Sequence, residues 1–282
     1  MAGWPSRWRT PTGLPLPPLA DPMRLALLLT ALLPLAACTS PDEPRLRTAA
    51  DTLAWRVTEG AGGLKAWNAV PGIAFEWAVV TDSVERVRTR HVWDKQGGRV
   101  RSEWRVSPDS VAVAVYTLDG FDAEAPEGMV AINGFQLSGA PAAERLAEGH
   151  GRFVNDGYWM LAPLKTFDPG VRRAIERRGG FDRLALSFDG VGLTPGDRYW
   201  IEVDEVTGSM TGWSYLLEGS DAEAGWDWID PVRLDTPDGP LSFARMKVNR
   251  EDGAAILTDP TVLEAVDEAE FTDLRPRLRP AP

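Results

Sequence analysis

The 282-residue sequence has one cysteine and two histidines. One cysteine excludes a disulfide within the chain, and two histidines cannot build a three-histidine metal site. After residue 37, no stretch reaches the roughly 18 apolar residues that a membrane-spanning helix requires. Basic residues number 30 against 41 acidic ones, a net charge of −11. Because nucleic-acid binding needs a basic surface, this charge argues against it.

Short catalytic motifs are also missing. The sequence has no Gly-x-Ser-x-Gly elbow, no Walker-type phosphate loop and no His-Glu-x-x-His zinc motif. The glycines of residues 190–196 resemble a phosphate loop, but a strand-like segment follows where a dinucleotide site needs a helix. His91 is expected to be a packing residue on a strand, and His150, between two glycines, a loop residue. The sequence therefore predicts no catalytic residues, no metal and no cofactor.

A signal-like segment lies near the N-terminus. Arg24 precedes an apolar run over residues 25–33, and small residues follow it, which is typical of a secretory signal. The run Leu35-Ala36-Ala37-Cys38 resembles the lipobox of bacterial lipoproteins, in which the signal is removed just before a cysteine that is then acylated. The resemblance implies lipidation of Cys38. The alternative is a buried free cysteine after a short apolar helix.

These features divide the chain into three parts. Residues 1–37 are an N-terminal extension and signal peptide, with the true start expected at Met23. Residues 38–44 are a lipidated tether, and residues 45–282 are a single domain. The membrane link is therefore an anchor, since several acyl chains hold a protein firmly. Thr39, next to the cysteine, favours the outer membrane, with the domain facing the periplasm.

The spacing of apolar residues predicts an α+β fold. Residues 45–59 have helical spacing, and from residue 73 the period becomes two, with apolar and charged residues alternating between turns. Short strands with regular turns indicate a curved antiparallel β-sheet, an incomplete barrel, with the N-terminal helix and short helices covering its concave face. Residues 142–148 and 171–178 are expected to be helical and residues 158–161 a strand. The acidic residues 227–230 are expected in a loop.

Tryptophan is abundant, at twelve residues. Several tryptophans fall on predicted strand faces, where large apolar side chains suit a ligand cavity. We predict that Phe75, Trp77, Trp93 and Trp104 line such a cavity. The alternative is an ordinary aromatic core.

Two longer segments carry a family resemblance. Residues 156–171 and 186–200 resemble the stretches "YWLLMP-K-DPGV" and "VGLTPGD-YW" of a family of bacterial envelope lipoproteins, although Ala162 and Thr166 depart from the pattern. That family is similar in fold to the LolA/LolB-like lipoprotein-carrier superfamily. The resemblance implies an incomplete barrel closed by helices, with an apolar cavity for acyl chains. It supplies no catalytic residues.

Together these observations predict a membrane-anchored envelope lipoprotein that binds an apolar or amphipathic ligand without catalysis. The ligand is expected to be a lipid or a lipoprotein acyl chain, and the protein a monomer. The alternative is a structural or protein-interaction module of the envelope, in which the tryptophans form a solid core. An enzyme ranks third, because no cluster of catalytic groups is evident.

Overall fold

Thirteen strands of the described residues form one antiparallel sheet. The computed structural model describes residues 44–189 and 196–278, so Cys38 and most of the glycine-rich segment 190–196 lie outside the described residues. The strands are β1 (Gly72–Thr81), β2 (Val84–Asp94), β3 (Arg99–Ser107), β4 (Ser110–Thr117), β5 (Met129–Ile132), β6 (Phe135–Gln136), β7 (Val171–Arg178), β8 (Phe181–Phe188), β9 (Arg198–Val203), β10 (Met210–Leu216), β11 (Ala224–Leu234), β12 (Leu241–Asn249) and β13 (Ala255–Leu263). The helices are α1 (Ala49–Gly60), α2 (Gly63–Ala69), α3 (Gly139–Leu161) and α4 (Ala269–Thr272), with a 3₁₀ turn at Ala162–Leu164.

The sheet consists of two meanders. Strands β1 to β6 pair in sequence, as do β7 to β13, and the two runs join where β1 pairs with β13. The edge strands are therefore β6 and β7, which α3 and its short connections link in the chain. A flat sheet of this width would separate its edges by about 58 Å, at about 4.8 Å per strand. Since α3 spans only about 35 Å, at 1.5 Å per residue, yet contacts both β5 and β8, which lie ten strand spacings apart, the sheet curves around it.

The N-terminal helix holds the β7 edge. Thr48 and Asp51 form a reciprocal capping box at the start of α1. Asp51 also accepts a hydrogen bond from Arg173 Nε on β7, at 2.9 Å. Partial burial opposes ionisation, but hydrogen bonds from Arg173, from the backbone of Arg47 and from Thr48 lower the pKa of Asp51 to about 2. The helix that the sequence predicts at this end is confirmed.

The fold class predicted from the sequence is confirmed as well. The sheet is open, and α1, α2 and α3 pack on one face of it, over a core that includes Ile73, Phe75 and Trp104. On the other face, Phe271 of α4 packs against Val92 and Val115. The structure is therefore α+β, with one heavily covered face.

Two local predictions were wrong around α3. The residues of 158–161 are the last turn of this 23-residue helix, where a strand was expected, and His150 is helical, where a loop was expected. Leu146, Phe153 and Met160 recur every seven residues on its buried side, which is the helical signal that the glycines beside His150 obscure. Gly149 is required there, because a Cβ would lie 3.0 Å from the Trp104 ring.

Two further segments are strands where other structure was expected. Residues 171–178 form β7, which pairs with β8 along its whole length, so tertiary pairing overrides a weakly helical pattern. The acidic residues 227–230 belong to β11 and not to a loop. Asp227 is exposed between Trp226 and Trp228, which are both buried, as in a strand with one covered face.

Candidate functional site

The four residues predicted to line a cavity all lie on the face that the helices cover. Phe75, Trp77 and Trp104 are buried, and Trp93 is partly buried. Phe75 on β1 pairs directly with His91 on β2, and Trp93 lies two residues after His91. The rings of Phe75 and Trp93 both meet the Phe153 ring of α3, with centroid distances of 6.4 and 5.7 Å.

Trp104 lies under Gly149, two strands away from Phe75. Phe75, Trp93 and Trp104 thus contact helix residues. That they line a ligand cavity stays a prediction.

A buried chain of hydrogen bonds joins α3 to the sheet. His91 Nε2 lies 2.9 Å from Asp156 Oδ2, and His91 Nδ1 lies 3.0 Å from Ser102 Oγ. Thr89 Oγ1 donates to the same Asp156 oxygen at 2.7 Å. With its hydrogen on Nε2, His91 donates to Asp156 and accepts from Ser102, so each group is satisfied. His91 is thus a buried hydrogen-bonding residue at the centre of a network, a more specific role than packing.

The Ser102–His91–Asp156 order invites comparison with a nucleophile, base and acid. A nucleophilic serine must face substrate and nearby oxyanion donors. Ser102 and His91 are instead fully buried, and the Ser102 hydroxyl lies 3.4 Å from the Tyr116 hydroxyl, which donates to Gly149 O of α3. Burial raises the pKa of Tyr116. The geometry therefore fits a network that positions α3 on the sheet.

We expect Asp156→Ala to lower the free energy of unfolding by about 2 to 4 kcal/mol, because it leaves His91 and Thr89 without their buried acceptor. Asp156→Asn should cost less, since it keeps one acceptor oxygen. Urea denaturation of both variants, with the exposed Asp109→Ala as the matched control, measures the difference. If Asp156→Ala were as mild as Asp109→Ala, the network would contribute nothing to stability.

A second aromatic cluster surrounds the C-terminal end of α3. The Trp159 ring lies 5.1 Å from Trp213 and 5.0 Å from Trp226, and the Tyr158 ring lies 5.5 Å from Trp213. Tyr158 and Trp159 belong to the helix and not to a strand, so they face the sheet from above. Burial raises the pKa of Tyr158, and its hydroxyl has no hydrogen-bond partner among the described residues. Sequence reasoning did not identify this cluster as a site.

Buried donors without acceptors are concentrated on this covered face. Five indole N–H groups there have no hydrogen-bond partner within the described residues: Trp77, Trp104, Trp213, Trp226 and Trp228. Leaving a buried donor unpaired costs about 1 to 3 kcal/mol, and most such groups in proteins are paired. The covered face is therefore apolar but supplies donors that oxygen atoms would satisfy.

An apolar crevice reaches this face between two strands. The β10–β11 ladder covers only Gly212↔Asp227 to Tyr215↔Ala224, so Met210 and Trp228 lie beyond its end. A crevice of about 190 Å³ opens there, lined by Met160, Met210, Trp228 and Phe243 among others. Its rim includes Thr211 and Ile229, both exposed. An apolar cavity of about 150 Å³ holds benzene, so this crevice can take a short length of hydrocarbon.

Lys247 lies in the wall behind the crevice. It is fully buried, and its Nζ donates to Ala244 O at 2.7 Å and to Thr258 Oγ1 at 2.8 Å. The same Nζ lies 5.0 Å from the Trp228 ring centroid. Burial lowers the pKa of Lys247 to about 7. Among the described residues, no carboxylate lies within ion-pair distance of this amine.

Two other features bear on function. No group of three or more histidine, cysteine, aspartate or glutamate side chains within residues 44–189 and 196–278 is arranged to hold a metal. In the same part of the chain, no helix combines the length and apolar character needed to cross a membrane.

Comparison with known proteins yields structural similarity only. No family model matches the chain, and no curated protein matches it. Similar solved structures include a DUF1329 family protein from Desulfovibrio piger, with 10% identity, a TM-score of 0.41 and coverage of 78% of this chain and 94% of that one. A putative outer membrane lipoprotein-sorting protein domain from Vibrio parahaemolyticus has 11% identity and a TM-score of 0.38, over 77% and 97% of the two chains.

A LolA superfamily protein from Nitrosomonas europaea is similar to the same degree, with 10% identity and a TM-score of 0.39, over 77% of this chain and 96% of that one. Two of these neighbours are named as lipoprotein-sorting or LolA superfamily proteins, the class that the sequence resemblance named, and membership of this chain in that class stays a prediction. At these identities and TM-scores the likeness carries no conclusion about a ligand. The functional proposal depends on the geometry of this chain.

Proposed function

We propose that this protein is an envelope lipoprotein, anchored through Cys38, that binds one amphipathic ligand without catalysis. The ligand is a lipid or the acyl part of a lipoprotein, held between the sheet and its helices. The observation that supports the proposal is the set of indole N–H groups that have no partner within residues 44–189 and 196–278, on an apolar, helix-covered face. Hydrocarbon next to ester or carboxyl oxygens satisfies both the apolar surface and the donors.

In this proposal α3 covers the binding face, and the ligand enters between the helix and the sheet. Phe153, Tyr158 and Trp159 contact the sheet through their rings, and apolar contacts of this kind are non-directional. The polar chain holds the helix at Asp156, four residues before Met160, and the Tyr116 hydroxyl holds it at Gly149 O. In this proposal, ligand entry at the C-terminal end of α3, near the crevice, leaves both contacts in place.

The second candidate is a structural or protein-interaction module with a solid core. The close packing of Phe75 and Trp93 on Phe153, and of Trp104 under Gly149, favours it. In that case the covered face holds α3 permanently, and any partner binds elsewhere.

Gentle purification followed by organic extraction tests the proposal. The full chain carrying Cys38→Ser lacks the covalent acyl chains, so any lipid it releases was bound non-covalently. We expect about one lipid per protein, and we expect the unsubstituted chain, but not Cys38→Ser, to sediment with membranes. A Thr39→Ser chain is the matched control for sedimentation. Extraction of no lipid, with one protein recovered as a stoichiometric partner, would favour the interaction module.

A further inference from the structure

The amine of Lys247 is the least expected group near the crevice. Buried lysines are normally paired with an acid, because an isolated buried charge is costly. Here the two acceptors are a backbone carbonyl and a hydroxyl, which leave the third ammonium hydrogen unassigned. The pKa lowered to about 7 by burial is what an unpaired buried amine should show.

The amine and the crevice share their wall. Ala244 lines the crevice, and its carbonyl oxygen accepts from Lys247 Nζ. Trp228 lines the crevice as well, its ring lies beside the same amine, and its own N–H has no partner among the described residues. The apolar crevice is therefore bordered by the Lys247 amine, which has no carboxylate partner among the described residues, and by the Trp228 N–H, which has no acceptor there.

The sheet is open at this position. Strands β12 and β13 pair only from Met246↔Leu257 to Val248↔Ala255, although each is nine residues long. Beyond the last pair, Lys247 and Thr258 bridge the two strands through Ala244 O, and Ser242 N donates to Ala61 O at the end of α1. Lys247 itself pairs with Ile256, but its amine lies beside Ala244 and Thr258, just beyond the last backbone pair, so a turn of the amine towards the crevice breaks no strand ladder.

We propose that the crevice binds an amphiphile with a carboxylate head, a free fatty acid, whose chain lies against Met160, Met210 and Phe243 and whose carboxylate accepts hydrogen bonds from Lys247 and Trp228. This rests on the proposed function and narrows it, since an esterified acyl chain lacks the charge that the amine requires. A carboxylate is the acid that the lysine otherwise lacks, and a charge-assisted bond is about twice as strong as a neutral one.

Binding of three matched twelve-carbon probes tests this. Dodecanoate, 1-dodecanol and methyl dodecanoate are titrated against the full chain carrying Cys38→Ser, followed by tryptophan fluorescence and by calorimetry. We expect dodecanoate to bind at least about tenfold more tightly than the other two. Lys247→Met should abolish that preference and leave binding of the alcohol within about twofold, whereas the exposed Lys65→Met should change neither.

A second variant tests the place of binding. Thr211 is exposed at the rim, so Thr211→Trp should fold normally, as judged by circular dichroism, and should weaken all three probes by obstructing the crevice. Equal affinity for acid, alcohol and ester, or an acid preference that survives Lys247→Met, would overturn the carboxylate proposal while leaving lipid binding intact. Absence of binding for all three probes would overturn the proposed function itself.

Discussion

Replacing Arg101 by methionine is expected to lower the free energy of unfolding by about 3 to 5 kcal/mol and to release the C-terminal segment. Arg101 is fully buried on β3. Its Nε donates to Glu103 Oε1 at 2.7 Å, and its terminal nitrogens donate to Glu270 O at 2.9 Å and to Arg275 O at 2.7 Å. One guanidinium thus joins the sheet to the segment that follows β13.

Glu103 completes this attachment from the same strand. It is fully buried, and its Oε2 accepts from the backbone N–H groups of Arg277 and Leu278, each at 2.7 Å. Arg90 also donates to Glu103 Oε1, at 2.9 Å. With Arg101 removed, the Glu103 carboxylate keeps its buried position but loses its closest cation. Arg90 remains beside it, so the cost comes from a buried carboxylate left with one cation in place of two, and from the carbonyl oxygens of Glu270 and Arg275 that lose their donor.

Two measurements separate this effect from a general loss of packing. Urea denaturation gives the free energy, and hydrogen exchange or limited proteolysis after residue 264 reports release of the C-terminal segment. The double variant Arg101→Met/Glu103→Leu removes both charges and should recover part of the stability. The exposed Arg172→Met is the matched control and should change stability by less than about 1 kcal/mol. A stable Arg101→Met chain with a protected C-terminus would contradict this account.

The fold could be predicted from the sequence where one physical signal dominated. Alternation in β2 and β3 is clear because apolar residues alternate with arginines, so the face of each residue follows from period two. The failures lie where pairing decides the conformation. Residues 171–178 have four arginines and little alternation, and only pairing with β8 and the contact of Arg173 with Asp51 make them a strand.

The candidate site was harder to predict, because its residues come together from distant parts of the chain. Phe75, Trp77, Trp93 and Trp104 were correctly placed on one face, but the crevice lies beyond them, at Met160 and Trp228. A partial signal for it existed. Lys247 has the same parity on β12 as the buried Leu241 and Phe243, but Arg245 between them is exposed, so period two alone does not mark the lysine as a core residue. The end of the β10–β11 ladder had no comparable signal.

The hydrogen bonds of Asp156 beneath α3 were also only partly predictable from the sequence. Asp156 falls three residues after Phe153, on the buried side of an amphipathic helix, which marks it as a buried carboxylate. That its partners are His91 and Thr89 depends on which strand lies under this turn of α3. Sequence spacing cannot supply that information, because it follows from the path of the helix across the curved sheet.

Replacing Lys247 by methionine is expected to stabilise the protein by about 2 to 4 kcal/mol at pH 7. The amine is fully buried, and burial lowers its pKa from 10.5 to about 7. The unfolded chain therefore holds this proton up to about pH 10.5, while the folded chain loses it near pH 7. The methionine variant removes this penalty but also loses the hydrogen bonds to Ala244 O and Thr258 Oγ1, which limits the gain.

The pH dependence gives the sharper test. Between about pH 7 and pH 10.5 the unfolded state binds more protons at this site than the folded state, so the stability of the unsubstituted protein rises with pH. Relative to Lys247→Met, it should gain about 1.4 kcal/mol per pH unit across that window, and nothing below it. Lys95, whose pKa burial lowers to about 8, is present in both chains and cancels in the difference.

Urea denaturation of both chains at pH 6, 7, 8 and 9 measures this difference, with the exposed Lys65→Met as the control that should show no slope. A constant difference at all four pH values would mean that Lys247 keeps an ordinary pKa, and hence that an acid or water already compensates it. The carboxylate proposal depends on an amine without such a partner. In ligand-free protein, the stability advantage of Lys247→Met should therefore shrink as the pH rises from 7 to 9. If bound dodecanoate abolishes this pH dependence, the stability of the sheet is coupled to occupation of the crevice.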